Sequence, residues 1–282
     1  MEPYSVLMPV CYKEKAANLR LSIQSMLDQT VPPEQFVLVC DGLLTEELDA
    51  VVTEFAEADP ALFTVVRMKK NRGIGVALNT GIRYCRNELV ARMDADDISV
   101  SERMALQLAE LEKYPDVSAV GGQIAEFCDE PTEITGYRKV PVAENEVGKY
   151  IRFRNPMNHV SVVLRKSHVL AVGNYQDVPG FEDYFLWASF IANGNTLRNV
   201  EQVCCVVRAD SGMYSRRGGL RYFQNTMRIE RFLLERKIIS RWEFWCNVMI
   251  RFGGTVVLPP ELRKLVFLCV LRKRKLQTQG KF

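Results

Sequence analysis

Three carboxylates packed into four consecutive positions are the side chains of this sequence best suited to chemistry. Asp94, Asp96 and Asp97 follow a short apolar run, residues 89–93, that only Arg92 interrupts. Like charges this close repel one another, so the cluster is costly unless a cation neutralises it. Mg²⁺ and Mn²⁺ prefer oxygen ligands and usually bind through one or two carboxylates together with substrate phosphates. The cluster therefore indicates a site for Mn²⁺ or Mg²⁺ and a diphosphate.

A simpler interpretation is that one acid caps the helix predicted to begin near Ser101. Asp97 or Ser99 would then accept a hydrogen bond from the helix N-terminus, where negative charge is favoured. Capping needs one acid, however, and the sequence supplies three. A calcium-binding EF-hand loop is a poorer match, because Ile98 and Ser99 stand where a further ligand and a turn glycine are needed.

A second acidic pair lies in the other half of the chain. Glu182 and Asp183 open a predicted helix over residues 184–192, so both charges fall at its positive end. One of them can serve simply as a cap, which leaves a catalytic role open. His159 is a third candidate, although a structural role is the more common one for a single histidine.

The elements that must position these residues alternate between strand and helix in the first hundred residues. We predict strands at 4–10, 36–40, 63–66 and 89–93, and helices at 18–27, 45–55 and 75–85. This alternation indicates a parallel, doubly wound sheet in which Asp41 and the acid cluster share the edge that binds ligands. Beyond it we predict strands at 117–127, 160–164 and 204–208, and helices at 101–111, 184–192, 220–235, 241–252 and 260–272.

Two basic loops are candidate anion-binding segments. Residues 69–81 lack the GK[ST] of a P-loop and the third glycine of a dinucleotide fingerprint. A basic, glycine-containing loop that leads into a helix suits an anionic ligand, but it also describes an ordinary solvated turn. Arg216 and Arg217, in the second loop, are suited to holding a diphosphate or to facing water.

Length and composition fit one large globular domain, or one domain with an appendage, in a chain of 282 residues that is 48% hydrophobic. The net charge of +3 is too small to indicate nucleic-acid binding. Eight cysteines without a CxxC spacing indicate a reducing compartment, and two histidines exclude a multi-histidine zinc site. We expect a cytoplasmic protein, because there is no signal-peptide pattern and no uncharged run reaches the ~18 residues of a membrane span.

The last third of the chain combines apolar helical faces with basic residues. Trp242, Trp245 and Met249 recur at helical spacing, and residues 272–275 are an unbroken basic run. Helices of this kind lie on an anionic membrane surface when the apolar face has no core to meet. Packing against the main domain is the alternative.

Taken together, these motifs resemble family 2 glycosyltransferases of the GT-A fold, most closely the bacterial exopolysaccharide and O-antigen enzymes of the amylovoran type. Singly the motifs are weak, but their order and separation are specific. They cover residues 4–217, and more loosely 218–251. The motifs are residues 5–10 with Tyr12 and Glu14, residues 39–42, 71–81, 91–97 and 180–184.

The resemblance implies an α/β GT-A fold: a Rossmann-like nucleotide-binding domain with a mainly parallel sheet and flanking helices, followed by a C-terminal helical extension. The GT-A domain would span 1–217, with a nucleotide-sugar-binding half at 1–98 and an acceptor half at 99–217. Residues 218–282 would form amphipathic, basic helices.

The resemblance also implies roles for individual residues. Asp94 and Asp96 would hold the metal, Asp183 would be the catalytic base, and Glu182 would orient the acceptor. Cys40 stands where many relatives have an acid, which leaves Asp41 alone to contact the base and ribose. The acceptor would meet His159, Arg216 and Arg217. The nucleotide sugar would contact Pro9, Val10, Tyr12, Glu14, Asp41, Asn71, Arg72, Asp94 and Ala95.

These roles describe an inverting, metal-dependent enzyme, since one base without a protein nucleophile gives a single displacement. The resemblance implies a hexose donor of the UDP-Gal, UDP-Glc or UDP-GlcNAc type and a saccharide acceptor on a polyprenyl diphosphate. The enzyme would then be peripheral on the inner face of the cell membrane. A nucleotidyltransferase would show a glycine-rich loop after the first strand, and residues 9–14 contain no glycine. A non-catalytic subunit of a polysaccharide assembly complex would not need both acidic sites.

Overall fold

A computed structural model describes residues 2–209, 219–258 and 273–274. Strands and helices alternate through the first half, as predicted. Thr45 caps the second helix, because its Oγ1 accepts a hydrogen bond from Leu48 N at 3.3 Å. The elements are β1 (Tyr4–Val10), α1 (Ala16–Leu27), β2 (Gln35–Cys40), α2 (Glu46–Ala58), β3 (Phe63–Arg67), α3 (Ile74–Gly81), β4 (Leu89–Arg92) and β5 (Ile98–Ser99).

The four long strands of this half form a parallel sheet in the order β3-β2-β1-β4. Strands β1, β2 and β4 are almost wholly buried, which explains why they read as nearly continuous apolar runs, whereas β3 is only partly buried. Val10 pairs with Cys40, and Leu7 pairs with Arg92, so the carboxyl ends of β1, β2 and β4 lie at one edge. This edge carries the predicted site.

The second half extends the sheet with mixed strand directions. Its elements are α4 (Arg103–Lys113), β6 (Val117–Phe127), β7 (Ile134–Arg138), α5 (Glu144–Tyr150), β8 (Val163–Arg165), α6 (Lys166–Ala171), α7 (Glu182–Ala192) and β9 (Thr196–Arg208). Strand β8 lies antiparallel between β4 and β6, and β9 runs parallel to β6. The α/β class is confirmed.

Two predicted strands are wrong in their boundaries. The strand expected at 204–208 begins eight residues earlier, as Thr196–Arg208. Residues 160–164 were expected to be extended, but His159–Ser161 forms a 3-10 turn and the strand is only Val163–Arg165. The turn closes because Ser161 donates from both N and Oγ to the carbonyl of Asn158, at 2.9 and 2.8 Å. Local side-chain hydrogen bonding of this kind competes with strand pairing.

Two helices, α8 (Leu220–Glu235) and α9 (Arg241–Phe252), follow, with the bounds predicted. One face of the pair joins the main core, where Ile229, Leu233 and Phe244 are buried. The opposite face of α9 is exposed: Trp242 is 77% and Met249 is 68% exposed. The helix pair therefore packs against the main domain and still presents an apolar surface. Among the described residues no helix is long and apolar enough to cross a membrane. The predicted helix 260–272 lies outside the described residues.

A short π-helical segment, Gly253–Val257, ends this pair of helices. Further along, the two-residue strand β10 (Lys273–Arg274) pairs antiparallel with β7 at the far edge of the sheet. Arg216 and Arg217 lie outside the described residues.

Candidate active site

The acid cluster stands directly beyond the end of β4. Ligand oxygens of Asp94, Asp96 and Asp97 all lie within 4.8 Å of one another. Asp94 and Asp96 are partly exposed, whereas Asp97 is only 3% exposed. The main chain here is fixed from α1, because Ser22 Oγ donates to the carbonyl of Asp94 at 2.5 Å. The buried strand therefore delivers three carboxylates to one point on the sheet edge.

Arg92 is the buried partner of this cluster. Its side chain is 2% exposed, and both terminal nitrogens bind the two oxygens of Asp94, with Nη1 to Oδ2 at 2.6 Å. Burial of the guanidinium at the end of a strand is tolerable because the pair is bidentate. One positive charge faces three carboxylates, so the cluster keeps a net negative charge.

Burial, together with that imbalance, raises the pKa of two members of the cluster. Burial first, and then the charges of Asp94 and Glu14, raise the pKa of Asp96 to about 7. Burial and the neighbouring acids raise the pKa of Asp97 well above its usual value. A divalent cation would remove this penalty, and three carboxylates are the ligands that Mn²⁺ or Mg²⁺ prefers.

The capping interpretation of the cluster is wrong. Helix α4 has Glu102 at its N-cap position and no side-chain cap. Asp97 Oδ1 instead accepts from the main-chain N of Arg208 at 2.8 Å and so ties the cluster to β9. Ser99 is held by Gln29, whose Nε2 donates to its hydroxyl at 3.0 Å. Neither side chain serves the helix.

Asp41, just after β2, fixes the loop of residues 71–73. Its carboxylate is 4% exposed, and its two oxygens accept from the main-chain N of Arg72 and of Gly73, at 2.8 and 2.9 Å. Asn71 Nδ2 donates to the carbonyl of Asp41 at 3.1 Å. Gly42 must be glycine, because φ is +89° and a Cβ there would lie 2.5 Å from Asn71 N. Asn71 and Arg72 are left exposed beside the site.

The remaining donor-side candidates surround the end of β1. Val10 is 2% exposed at the strand end, while Tyr12 is 50% exposed in the turn that follows. Glu14 Oε1 accepts from Lys15 N and Asn18 Nδ2, at 2.8 and 2.9 Å, and its charge reaches Asp96. Pro9 is half-buried in β1, and Ala95 is buried between the metal candidates.

The second acidic pair stands at the start of α7, where neither acid caps the helix. Asp183 accepts two hydrogen bonds, from Tyr184 N at 2.7 Å and from Asn155 Nδ2 at 2.5 Å. Burial raises the pKa of Asp183, and these two donors oppose the rise. A carboxylate with a raised pKa that keeps two directional donors is suited to accepting a proton.

Glu182 is the member of this pair that approaches α3. It is 9% exposed, and burial raises its pKa to about 7. A Cβ added at Gly75 would come within 2.8 Å of Glu182 Cγ, so α3 and α7 approach closely here. The charge of Arg92 acts on both Glu182 and Asp183 as well as on the acid cluster. Arg92 therefore lies within electrostatic range of both acidic centres.

His159 is a neutral, packed histidine. Its Nε2 lies 3.1 Å from the hydroxyl of Tyr175, and its ring meets the edge of Trp187 at 6.0 Å. Burial and the Arg92 charge lower the pKa of His159 well below its ordinary value. The structure gives it no proton-accepting task, and its contact with the acceptor stays a prediction.

Two residues with evident roles in the site were missed. The pairing of Arg92 with Asp94 was foreseeable, because a charge inside a buried strand requires a partner. Asn155 carried no such signal, since it stands 28 residues from Asp183 and meets it only through the fold.

Comparison with known sequences agrees with this geometry. The sequence model described as "Glycosyl transferase family 2" matches residues 5–170. The amylovoran biosynthesis glycosyltransferase AmsE of Erwinia amylovora is 36% identical over 83% of this chain and 86% of its own length. An Escherichia coli protein, UDP-Gal:alpha-D-GlcNAc-diphosphoundecaprenol beta-1,3-galactosyltransferase, is 31% identical over 96% of this chain and 97% of its own.

Solved structures show the same fold at lower sequence identity. The mannosyltransferase PcManGT of Pyrobaculum calidifontis, in complex with GDP-Man and Mn²⁺, superposes with a TM-score of 0.66 at 20% identity. The match covers 95% of this chain and 75% of that one. The predicted GT-A architecture is confirmed.

Proposed function

This chain belongs to glycosyl transferase family 2, and on that premise we propose that it transfers a hexose from a UDP-sugar to a saccharide carried on a polyprenyl diphosphate. Such a reaction builds exopolysaccharide or O-antigen. The observation that carries the proposal is the pair of separate acidic centres, one beyond the end of β4 and one at the start of α7, with the Arg92 charge acting on both. The similarity to the E. coli galactosyltransferase supports the choice of donor and acceptor.

In this proposal the acid cluster holds the donor. Asp94 and Asp96 bind Mn²⁺ or Mg²⁺, and their oxygen ligands, close spacing and uncompensated charge fit such an ion. When bound, the metal neutralises charge on the leaving diphosphate. In this proposal the exposed Asn71 and Arg72 contact the nucleotide sugar, and their hydrogen bonds to Asp41, which fix the loop, support that role.

On the acceptor side, Asp183 accepts the proton of the attacking hydroxyl. As the hydroxyl oxygen bonds to the anomeric carbon, the bond from that carbon to the diphosphate breaks and the proton passes to a carboxylate oxygen of Asp183. A single displacement of this kind inverts the anomeric configuration. Glu182, the residue before Asp183 on α7, would orient the acceptor sugar.

The activity can be tested with a synthetic lipid diphosphate carrying one GlcNAc. We expect hexose transfer from one of UDP-Gal, UDP-Glc or UDP-GlcNAc in the presence of Mn²⁺, and none in EDTA. Anomeric proton NMR of the product should show the configuration opposite to that of the donor. Retention, or full activity in EDTA, would contradict the proposed chemistry, and nucleotide-sugar binding without transfer to any acceptor would favour a non-catalytic subunit.

We also propose that the enzyme works on an anionic membrane surface. A lipid-linked acceptor is confined to the bilayer, and the exposed face of α9 carries Trp242, Trp245 and Met249. Aromatic side chains suit the membrane interface, and basic residues near it contribute ~1 kcal/mol each. The exposed Arg241 adjoins this face, and the basic run 272–275 would add to the attraction.

Vesicle co-sedimentation tests this surface. Trp242→Ser with Trp245→Ser should weaken binding to vesicles with anionic lipid at low salt, and deletion of residues after Leu271 should do the same. Leu43→Ser with Tyr84→Ser is the matched control, because both side chains are exposed apolar groups on segments other than α8 and α9. No binding by the intact protein would contradict the membrane proposal and leave the transfer reaction standing.

A further inference from the structure

Asp183 is held by a segment that the C-terminal helices themselves fix. Asn155 connects the two: its Oδ1 accepts from Met157 N at 3.2 Å, which sets the amide so that Nδ2 points to Asp183 Oδ2 at 2.5 Å. The orientation of this amide is therefore determined by the main chain. Asn155 can donate to Asp183 but cannot turn its oxygen toward it without losing the bond to Met157.

The chain immediately before Asn155 is anchored on α9. Asn247 Nδ2 donates to the carbonyl of Arg152 at 2.8 Å, and Arg251 Nη2 donates to the carbonyl of Phe153 at 2.9 Å. The Arg152 side chain also pairs with Glu243, at 2.6 Å. Three side chains of α9 thus hold two consecutive residues of this segment.

A buried carboxylate on α8 fixes two of those α9 side chains. Glu230 is 0% exposed, and it binds Arg251 Nε at 2.7 Å and Asn247 Nδ2 at 2.9 Å. Glu230 thereby links the two α9 side chains that hold the carbonyls of Arg152 and Phe153. Residues 152–155 therefore connect the helix pair α8–α9 to the carboxylate of Asp183 at the start of α7.

We propose that Asn155 is a positioning residue for the base Asp183, and that α8 and α9 hold Asn155 in place through residues 152–154. This inference rests on the proposed function, in which Asp183 accepts the proton. The helix pair is then part of the acceptor site as well as the side of the molecule that carries the exposed Trp242 face. Asn155 orients one carboxylate oxygen of Asp183, and its hydrogen bond stabilises the charged form of that carboxylate.

Other charged and titratable groups face Asp183 and set the background against which Asn155 acts. They are Arg92 from β4, Arg138 from β7, and Tyr175, Glu182 and Tyr184 from the segment leading into and opening α7. The two arginines lower the pKa of Asp183, as the Asn155 donor does. Removing the donor must therefore raise the pKa of Asp183 further, while these groups remain.

The pH profile of transfer tests the proposal. In Asn155→Ala, at saturating donor, the acid limb of the kcat profile should move up by about one pH unit, because a hydrogen bond to a charged group is lost. The kcat at the optimum should also fall by about 10- to 100-fold, since the carboxylate is no longer held in line. The donor KM should stay within about twofold of wild type, because Asn155 contacts the acceptor side only.

Asn193→Ala is the matched control. This asparagine stands at the other end of α7, where its Nδ2 donates to the carbonyl of Ser189 at 2.8 Å. We expect its acid limb to coincide with that of the wild type. Asn247→Ala removes the donor to Arg152 and should move the limb in the same direction as Asn155→Ala, by a smaller amount.

An Asn155→Ala enzyme with an unchanged acid limb and unchanged kcat would overturn the positioning role, and an Asn247→Ala enzyme like the wild type would overturn the part assigned to the helices. If Asn155→Ala does not fold, Asn247→Ala alone decides the question by the presence or absence of the shift. Asp183→Asn, measured in parallel, separates failure of the positioning role from failure of the proposed function. Wild-type turnover in Asp183→Asn would mean that Asp183 is not the base.

Discussion

The two acidic centres of this protein are both built from carboxylates, but they differ in how those carboxylates are neutralised and hydrogen-bonded. At the end of β4, three carboxylates crowd within 4.8 Å of one another with Arg92 as their buried counter-charge. At the start of α7, Asp183 is held by a side-chain and a main-chain donor, and burial is the main cause of its raised pKa. The first centre has three carboxylates against one guanidinium, whereas Asp183 in the second accepts two hydrogen bonds.

In the proposed function this difference separates a site suited to a cation from a site suited to a proton. One divalent ion would relieve the repulsion within the cluster and could also bind the diphosphate of the donor. A single, well-oriented carboxylate with a raised pKa is suited instead to accepting a proton. Single substitutions in and around each centre test this comparison.

The largest effect is expected at the proton site. Asp183→Asn keeps the shape of the side chain but cannot accept a proton, so kcat should fall by about 10²- to 10⁴-fold. Thermal melting should confirm that the variant folds. Asp177→Asn, which changes an exposed acid on the segment that leads to α7, should leave kcat unchanged. Turnover near the wild-type rate in Asp183→Asn would place the base elsewhere, with Glu182 the next residue to test.

A smaller effect is expected at the donor loop. Asp41→Ala removes the acceptor for two main-chain donors, so residues 71–73 lose their fixed position and the donor KM should rise by about 10- to 100-fold. Asp41→Asn keeps one acceptor oxygen, so its donor KM should lie between those of the wild type and of Asp41→Ala. Asp49→Ala is the control, because this partly exposed carboxylate pairs with Arg67 on the outer surface. An unchanged KM in Asp41→Ala would show that the loop does not hold the donor.

Sequence periodicity predicted the parallel half of the sheet almost residue by residue, because strands buried on both faces are uninterrupted apolar runs. It failed at residues 160–164, where the hydroxyl of Ser161 turns the chain into a 3-10 turn that no hydrophobic pattern reveals. The acids of both centres were visible as clusters of charge. Asn155 was not, because its role arises only when β-strands, α7 and α9 bring distant segments together.

The smallest effect concerns stability without metal. The pKa of Asp96 is about 7 in the folded protein against a usual value of 3.8, so the folded state binds the extra proton and stability falls as pH rises between these values. Asp96→Asn removes this loss. In EDTA the variant should match wild type near pH 4 and exceed it by about 1–2 kcal/mol above pH 7, a reduced figure because the side chain is partly solvated.

Urea unfolding at the two pH values measures this difference directly. Asp116→Asn serves as the control, because its side chain is exposed and lies far along the chain from the cluster. A gap that is constant between pH 4 and pH 8 would mean that the cluster carries no uncompensated charge.

The division of labour between the two centres is tested most directly by titrating UDP into three proteins by calorimetry, each with Mn²⁺ and with EDTA. Wild type and Asp183→Asn should bind UDP with the same affinity in Mn²⁺ and much more weakly in EDTA. Asp96→Ala should bind weakly in both, because the two remaining acids of the cluster cannot hold the ion. Tighter binding in Mn²⁺ than in EDTA by Asp96→Ala, or loss of binding by Asp183→Asn, would contradict the separation of a metal centre from a proton centre.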